Sequence, residues 1–500
     1  MNETYPIFSN PLVLELNRKF TTIWALRSTG SILGWDLEVN MPPKGSTARG
    51  MVMGEVTMLV QKQLTEVYPT LEKAGEREAD LNDYEKGIVR VLKRAQKYFT
   101  RIPPSLLERE NQLAAEAFVI WRDARKKSDF KAFLPSLEKF VELKREEADK
   151  LGYEDHPYNA LLDQYEEGLT VTDVDRMYSK LIPALKKIFA KVQNSKFTGD
   201  SPLVEKSYGV PALSEVNRRL VDILGMPKER FRVDLSAHPF ETSISRDDVR
   251  ITTRYEGTDF RRALFSTIHE SGHAIYELQL EEKLQFTPTG VAASNGFHES
   301  QSRFWENIVG RSRGFVNLLG PILREQLDFV APYDDEQLFY YFNLVKPGLI
   351  RVDADELTYN FHTALRYELE KKVIAGEISA SELPEIWDDT LEEYLGIRPP
   401  NDAMGLLQDV HWSHGDFGYF PTYTLGNVIG GMLWYNIRKD LSFEEKVRAG
   451  AFDPVKKWLY EKIHRWGATY SPKELAERSF GEPANPDRLV DYLERKYVQD

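Results

Sequence analysis

The chain has 500 residues, of which 42% are hydrophobic and 29% are charged, a composition typical of a folded globular protein. Its net charge of -13 disfavours nucleic acid as a partner, and no run of about 18 apolar residues predicts a membrane span. The absence of cysteine excludes disulfides, thiolate metal ligands and cysteine nucleophiles. Together with an N-terminus that shows no signal-peptide pattern, this composition favours a cytoplasmic and thermostable protein.

Most of the sequence predicts helices. Three long stretches have apolar residues at steps of three and four, the spacing of an amphipathic helix: 129–151, 171–193 and 381–396. Two stretches in the middle, 230–236 and 248–256, alternate instead and are rich in Val, Ile and Thr, so they predict a small β-ribbon. No internal repeat or long linker divides the chain. We therefore predict a mainly α fold, a single large helical unit that spans residues 1–500 as one domain.

The stretch "HESGH" carries the strongest chemical signal. On a helix over 264–279, His269 and His273 lie one turn apart at the edge of the apolar face, and Glu270 lies about 100° round from His269. Two neutral imidazoles can hold a zinc ion, and a nearby carboxylate can take a proton from a water on that ion. The pattern therefore predicts a zinc hydrolase, with His269 and His273 as ligands and Glu270 as the general base.

A catalytic zinc ion usually has three protein ligands. Glu277 is excluded, because eight residues of helix separate it from His269 by about 12 Å. A second predicted helix lies within 290–312 and contains Glu299 in its first turn and Glu306 two turns later. If this helix runs antiparallel to the first, one of the two carboxylates reaches the ion. We predict Glu299 as the third ligand, with Glu306 as the alternative.

Six short stretches, in a fixed order, match the motifs of a known family: "HPF" at 238–240, "DVRIT" at 248–252, "HESGH" at 269–273, "HESQ" at 298–301, "IRVDAD" at 350–355 and "GLLQDVHW" at 405–412. Together they resemble the thermostable metallocarboxypeptidases, the Taq-type carboxypeptidase family, and most closely its archaeal, Pyrococcus-type members. The resemblance extends over nearly the whole chain and includes every metal and base position.

The resemblance implies a mostly helical fold with a deep active-site groove, similar to that of the angiotensin-converting and neurolysin-like peptidases, and with the small β-ribbon beside the zinc helix. It implies a homodimer that removes single C-terminal residues from peptides with broad specificity. It also implies one divalent metal per chain, Zn²⁺ or Co²⁺, bound by His269, His273 and Glu299, with Glu270 as the base that activates the attacking water.

A carboxypeptidase must recognise a free carboxylate, and arginine does this best through two parallel hydrogen bonds. The candidates are Arg351 in "IRVDAD", which the resemblance favours, and Arg250 in "DVRIT". A salt bridge to Asp353 or Asp355 is the alternative for Arg351, and a solvated strand face is the alternative for Arg250. The strand that carries Arg250 could also hold an extended peptide through an exposed edge.

The segment 411–426 is rich in histidine, tyrosine and glycine. It could supply donors to the oxyanion of the tetrahedral intermediate. By analogy with the groove peptidases we favour His411 and Tyr423 for this catalytic role, although aromatic core packing is the alternative for the tyrosine. His238, which precedes a proline, is expected to grip the substrate or to have a structural role. Asp353, Asp355 and Asp409 could each bind the second nitrogen of a ligating histidine.

Three other functions are compatible with parts of the sequence. A metallo-oligopeptidase would share the metal site but release larger fragments. A di-metal carboxylate oxidoreductase would use "ESGH" at 270–273 and "EKIH" at 461–464 as paired Glu-x-x-His motifs. That alternative leaves His269 unused and places His464 beside Arg465 and Trp466, a pair more typical of a surface. A metal-free binding protein is the third possibility.

Overall fold

The computed structural model describes residues 7–193 and 195–499, which form two compact units. The first contains the described residues up to Gln96, together with Asp200–Phe342 and Met432–Pro483. The second contains Lys97–Gly199, Asn343–Gly431 and the described residues from Ala484 onward. The organisation of the chain as one catalytic domain stays a prediction.

Helices dominate both units, as the apolar spacing predicts. The α-helices of the described residues are α1 Pro11–Val39, α2 Ser46–Glu76, α3 Asp83–Arg101, α4 Pro104–Lys127, α5 Phe130–Leu151, α6 Tyr158–Tyr165, α7 Val171–Val192, α8 Val210–Ile223, α9 Arg261–Leu278, α10 Asn295–Arg303, α11 Arg313–Gln326, α12 Asp335–Phe342, α13 Tyr359–Ala375, α14 Leu383–Leu395, α15 His411–His414, α16 Phe420–Asp440, α17 Phe443–Arg448, α18 Asp453–Lys462, α19 Pro472–Phe480 and α20 Pro486–Glu494. In the part of the chain that the structure describes, none of these helices is long and apolar enough to cross a bilayer.

The β element of the first unit has three strands rather than two: β1 Phe231–Leu235, β2 Glu241–Ser245 and β3 Asp248–Thr253. β3 lies in the centre, parallel to β1 and antiparallel to β2. No sequence pattern predicts β2, because "ETSIS" has no clear alternation of apolar and polar residues, and all five residues are half-buried. The strand that carries Arg250 is therefore central, and the edge strands are β1 and β2.

Helix α9 is the structural centre of the first unit. Both β2 and β3 pack against it, and the apolar arc predicted for residues 264–279 is buried. The side of α9 that carries Gly272 lies against α10. A Cβ atom at Gly272 would lie 2.7 Å from the carbonyl oxygen of Gln301 and 2.7 Å from the Cα atom of Ser302. This glycine therefore allows the two helices to approach closely.

Helix α10 begins at a defined cap, because the Ser294 hydroxyl accepts a hydrogen bond from the amide of Phe297 (3.1 Å). A π-helical turn, Phe304–Gly310, continues α10 directly. Such a turn shifts the direction of the side chains that follow it relative to a regular α-helix. It carries Glu306, so the face on which Glu306 lies cannot be derived from regular helical spacing.

Candidate metal centre and active site

Three side chains converge between helices α9 and α10. His269 and His273, one turn apart on α9, direct their Nε2 atoms toward the Oε2 atom of Glu299 on α10, at 3.7 and 3.5 Å. The ligand atoms of all three lie within 4.8 Å of one another, and they form the one such group of metal-ligand type among the described residues. The structure therefore brings together the three residues that the sequence predicts as metal ligands.

The protonation states of His273 and Glu299 suit a metal. Burial lowers the pKa of His273 to about 3, so its imidazole is neutral, as a ligand must be. Burial opposes ionisation of Glu299, but Arg303 and His269 outweigh it and hold the pKa of this carboxyl well below its usual range. Two imidazoles and one carboxylate are a donor set typical of catalytic zinc. The residues present therefore fit a divalent cation.

Glu306 holds His269 from the opposite side of the ring. Its Oε2 atom lies 3.0 Å from His269 Nδ1, and Arg311 Nη2 donates to its Oε1 atom (2.8 Å). This contact directs Nε2 of His269 toward Glu299 and His273, and it favours the tautomer that carries its proton on Nδ1. Glu306 thus contacts a predicted ligand, His269, whereas the sequence suggested it only as an alternative ligand.

Glu270 lies beside the triad and is buried. Burial raises its pKa to about 7, and the nearby charges of His269 and Glu299 act on it in opposite directions. A carboxyl group that titrates near neutral pH can both accept and return a proton during a reaction.

The comparisons with known proteins agree with this geometry. The family model described as carboxypeptidase Taq (M32) metallopeptidase matches residues 15–497. The chain is 46% identical to thermostable carboxypeptidase 1 of Pyrococcus furiosus over 98% of this chain and 99% of that protein. It is 36% identical to carboxypeptidase 1 of Bacillus subtilis over 93% of this chain and 94% of that protein.

A solved structure of Pyrococcus furiosus carboxypeptidase superposes with a TM-score of 0.97 over 98% of this chain and 100% of that chain, at 46% identity. The chain belongs to the M32 carboxypeptidase family. It is therefore a metallocarboxypeptidase, and the mainly α fold with a small sheet is confirmed.

Arg351 of this M32 carboxypeptidase lies in the second unit and is buried. Its Nε and Nη2 atoms donate to Asp409 Oδ1 (3.0 and 2.8 Å), and its Nη1 atom donates to the hydroxyl of Tyr359 (2.9 Å). Arg366 Nε donates to the other oxygen of Asp409 (2.6 Å). The partner of Arg351 is thus Asp409, and not Asp353 or Asp355 as the sequence analysis considered.

Asp355 has a different role from the one that the sequence suggests. Its Oδ1 atom accepts hydrogen bonds from the amides of Leu357 and Thr358, just before α13 (3.0 Å each). For His269, the residue that contacts the second ring nitrogen is Glu306, and not one of the aspartates proposed from the sequence.

His411 and Tyr423 lie in one aromatic cluster of the second unit. The His411 ring is 4.5 Å from the ring of Phe420 and 6.4 Å from that of Tyr423, and the Arg351 guanidinium lies 5.1 Å from the Tyr423 ring. Burial, with a contribution from Arg351, lowers the pKa of His411 to about 4. The histidine is therefore neutral at physiological pH and can donate a hydrogen bond from one nitrogen.

The other two predicted substrate residues, His238 and Arg250, belong to the sheet region of the first unit. His238 is exposed, and its carbonyl accepts a hydrogen bond from the Ser236 hydroxyl (2.5 Å). Arg250 donates from Nε and Nη2 to the two oxygens of Asp248 (2.8 Å each), and its guanidinium lies 4.4 Å from the Trp35 ring. Arg250 thus already has a carboxylate partner in the free enzyme.

His464 lies in the core and not at the surface, so that part of the sequence analysis was wrong. Its two nitrogens lie 2.9 Å from Gln279 Oε1 and from Gln301 Oε1, and its ring stacks on Tyr276 at 4.6 Å. Glu461, its supposed partner in a di-metal site, is exposed and lies near Lys457. His464 therefore connects α9 and α10, and it shows no contact of a metal ligand.

Glu370 is a buried residue that sequence patterns did not single out. It accepts hydrogen bonds from Trp412 Nε1 (2.7 Å), from the amide of Gly418 (2.9 Å) and from the hydroxyl of Tyr158 (2.5 Å). Two of these donors, Trp412 and Gly418, lie in the segment between the predicted catalytic residues His411 and Tyr423. The one signal in the sequence was a glutamate on the apolar face of a helix, which alone does not identify its partners.

Proposed function

We propose that this chain is a metal-dependent carboxypeptidase that hydrolyses the C-terminal peptide bond of peptides with broad specificity, with one Zn²⁺ or Co²⁺ per chain. The observation that carries the proposal is the convergence of His269, His273 and Glu299 beside the buried Glu270. The homodimer and the cytoplasmic location implied by the resemblance and the composition belong to the same proposal.

Glu270 is the proposed general base. A divalent cation at the triad would polarise the peptide carbonyl and lower the pKa of a water to about 7. Glu270 takes a proton from the attacking water and then gives it to the leaving amine.

Arg351 is the proposed anchor for the carboxylate of the substrate. Two buried guanidinium groups, those of Arg351 and Arg366, share the single carboxylate of Asp409, so one positive charge in this cluster has no carboxylate partner among the described residues. His411 does not add a charge, because its pKa is lowered to about 4. An excess buried positive charge favours the binding of an anion such as a C-terminal carboxylate.

His411 and Tyr423 are the proposed donors to the oxyanion of the tetrahedral intermediate. The buried Nδ1 atom of His411 has no hydrogen-bond partner among the described residues, which leaves it available for a ligand. His238 and Arg250 are proposed to contact the substrate more weakly. His238 is exposed, and Arg250 would first have to leave Asp248.

The test is a matched pair of N-acetylated peptides that differ only in a free or an amidated C-terminus. They are offered to the wild type and to the variants Arg351→Ala, Arg351→Lys and Arg250→Ala. The wild type should release single residues from the acid and leave the amide intact, because an amide leaves the guanidinium charge unpaired.

For Arg351→Ala we expect kcat/KM on the acid to fall by on the order of 10²-fold or more, with little change on the amide. Arg351→Lys should restore part of the activity, because it keeps the charge but loses the planar fork. If Arg250→Ala loses the preference for the acid while Arg351→Ala keeps it, the anchor is Arg250. Equal cleavage of both peptides by the wild type into larger fragments would instead identify an oligopeptidase.

A further inference from the structure

Glu241 has a buried carboxyl group, one oxygen of which has no hydrogen-bond partner among the described residues. Its side chain is 8% exposed, and the oxygen in question is Oε1. Burial raises the pKa of this carboxyl well above its usual range, and Glu277 and Glu270 raise it further. Such a group stays neutral unless a cation lies against it, and a strongly shifted pKa makes a residue a candidate for a functional role.

The surroundings of Glu241 connect it to the metal centre. Its Oε2 atom lies 3.9 Å from Nε2 of His298, which also lies 3.2 Å from Glu277 Oε1. The His298 ring stacks on the ring of His273 at 4.3 Å. One imidazole thus separates Glu241 from a predicted metal ligand, and two carboxylates compete for that imidazole.

The backbone at Glu241 is suited to bind a peptide. Glu241 is the first residue of β2, a strand at the edge of the three-stranded sheet that pairs with β3 and packs against α9 and α1. An extended peptide can add to such an edge through main-chain hydrogen bonds, while neighbouring side chains select its residues. A substrate held along β2 would pass its side chains close to Glu241.

We propose that Glu241 is a specificity-determining residue that binds a cationic side chain, lysine or arginine, of the peptide substrate. The proposal rests on the function proposed above and adds to it a preferred class of peptides. An ammonium or guanidinium group would give Oε1 its missing partner and offset the excess of carboxylates around His298. Glu241 and the cationic side chain would form an ion pair in a partly desolvated site. Such a site discriminates strongly against a neutral side chain, which would leave the carboxylate unpaired.

A second divalent cation is a less suitable occupant. Within the part of the chain that the structure describes, His269, His273 and Glu299 form the one group whose ligand atoms lie within 4.8 Å of one another. Glu241 and Glu277 both approach His298, but they do not join with it in such a group.

The experiment uses the metal-loaded, full-length enzyme and N-acetylated peptides of alanine with a free C-terminus. One residue is replaced by lysine or by norleucine, which has a similar shape and no charge, at each of the last three positions in turn. The variants are Glu241→Gln, which keeps the size of the side chain, and the control Glu282→Gln, whose side chain is 79% exposed. Metal content per chain is measured for each protein.

We expect kcat/KM of the wild type to be at least 10-fold higher for lysine than for norleucine at one of these positions. The ratio should fall to about 1 in Glu241→Gln and remain unchanged in Glu282→Gln. Hydrolysis of the norleucine and all-alanine peptides by Glu241→Gln should stay within about twofold of wild type, which shows that the fold and the metal site are intact.

Two results would overturn the inference while leaving the proposed function intact. The first is hydrolysis of all the peptides without a preference for lysine, or with a preference that survives in Glu241→Gln. The second is two metal ions per wild-type chain and one in Glu241→Gln, which would make Glu241 a metal ligand. No hydrolysis of any free-acid peptide by the wild type would reject the proposed function itself.

Discussion

His269 contacts carboxylates at both of its ring nitrogens, and the two contacts have different consequences. Glu299 lies near Nε2 and shares the side on which a cation would bind, whereas Glu306 lies 3.0 Å from Nδ1. The first contact was predictable, because His269 and His273 are one helical turn apart and need a third donor from another helix. The second depends on the π-helical turn that carries Glu306, and no sequence pattern marks such a turn.

Glu270→Gln should retain the metal and lose nearly all hydrolysis. The amide keeps the size of the side chain but cannot accept the proton of the attacking water, so kcat should fall by about 10²- to 10⁴-fold or more. Metal content by elemental analysis and kcat on a free-acid peptide check this together. Hydrolysis near the wild-type rate in the metal-loaded variant would exclude Glu270 as the base.

Glu299→Ala and Glu306→Ala should weaken metal binding to different extents. Removal of a ligand should abolish stoichiometric binding, whereas loss of the residue that orients a ligand typically costs about 10- to 100-fold in affinity. Competition with a chelator of known affinity measures the metal affinity of each variant. Tight, stoichiometric binding in Glu299→Ala, with complete loss in Glu306→Ala, would reverse the two assignments.

At the scale of elements, the site depends on how closely α10 approaches α9. Long helices were predictable because their apolar residues recur over many turns, but β2 is short and its five residues are all half-buried, so its pattern is weak. Contacts between elements were the least predictable feature. The pairing of Arg351 and Arg366 with Asp409 joins positions that are 58 and 43 residues apart in sequence.

Gly272→Ala should displace α10 and weaken metal binding. The new Cβ atom would lie 2.7 Å from backbone atoms of Gln301 and Ser302, which cannot rotate away as a flexible side chain could. We expect a loss of about 1–3 kcal/mol in the free energy of unfolding, the typical cost of overpacking. Metal affinity should fall as well, because Glu299 lies on the displaced helix.

Gly34→Ala is the matched control, since Gly34 lies inside α1 and a Cβ atom there meets nothing within 4 Å. It should be neutral or stabilise the helix by up to about 1 kcal/mol. Urea unfolding and metal titration measure the free energy of unfolding and the metal affinity of both variants. Unchanged metal affinity in Gly272→Ala would show that the close approach does not position Glu299.

Glu370 should make the stability of the second unit depend on pH. Burial outweighs its three hydrogen-bond donors and raises its pKa from 4.5 to about 7. Between these two values the folded state holds a proton that the unfolded state releases, so this group makes the free energy of unfolding decrease as pH rises. The decrease should total on the order of 3 kcal/mol and level off above the folded pKa.

Urea unfolding of the wild type and of Glu370→Gln, measured between pH 4.5 and 8, isolates this contribution. The glutamine does not titrate. The difference in free energy of unfolding between the two proteins should therefore change between pH 4.5 and about 7 and stay constant at higher pH. Parallel pH profiles for the two proteins would show that Glu370 has the same pKa in the folded and unfolded states.

At the scale of the whole molecule, the family relationship covers the chain almost from end to end, since the family model matches residues 15–497. The fold class predicted from the sequence agrees with this family relationship. Six motifs in a fixed order identify a family, and therefore its fold, far more specifically than one zinc motif does. A cation that binds only the folded protein would also stabilise it, by about 2.7 kcal/mol at a concentration 100 times its dissociation constant.

The most direct test of the central claim is a metal titration followed by mass spectrometry of the products. The enzyme is stripped with a chelator, reloaded with measured amounts of Zn²⁺ or Co²⁺, and given an N-acetylated peptide with a free C-terminus. We expect no hydrolysis without metal, activity that rises to a plateau at one equivalent per chain, and products that shorten by one residue at a time. Full activity without metal, a plateau at two equivalents, or release of internal fragments would contradict the account.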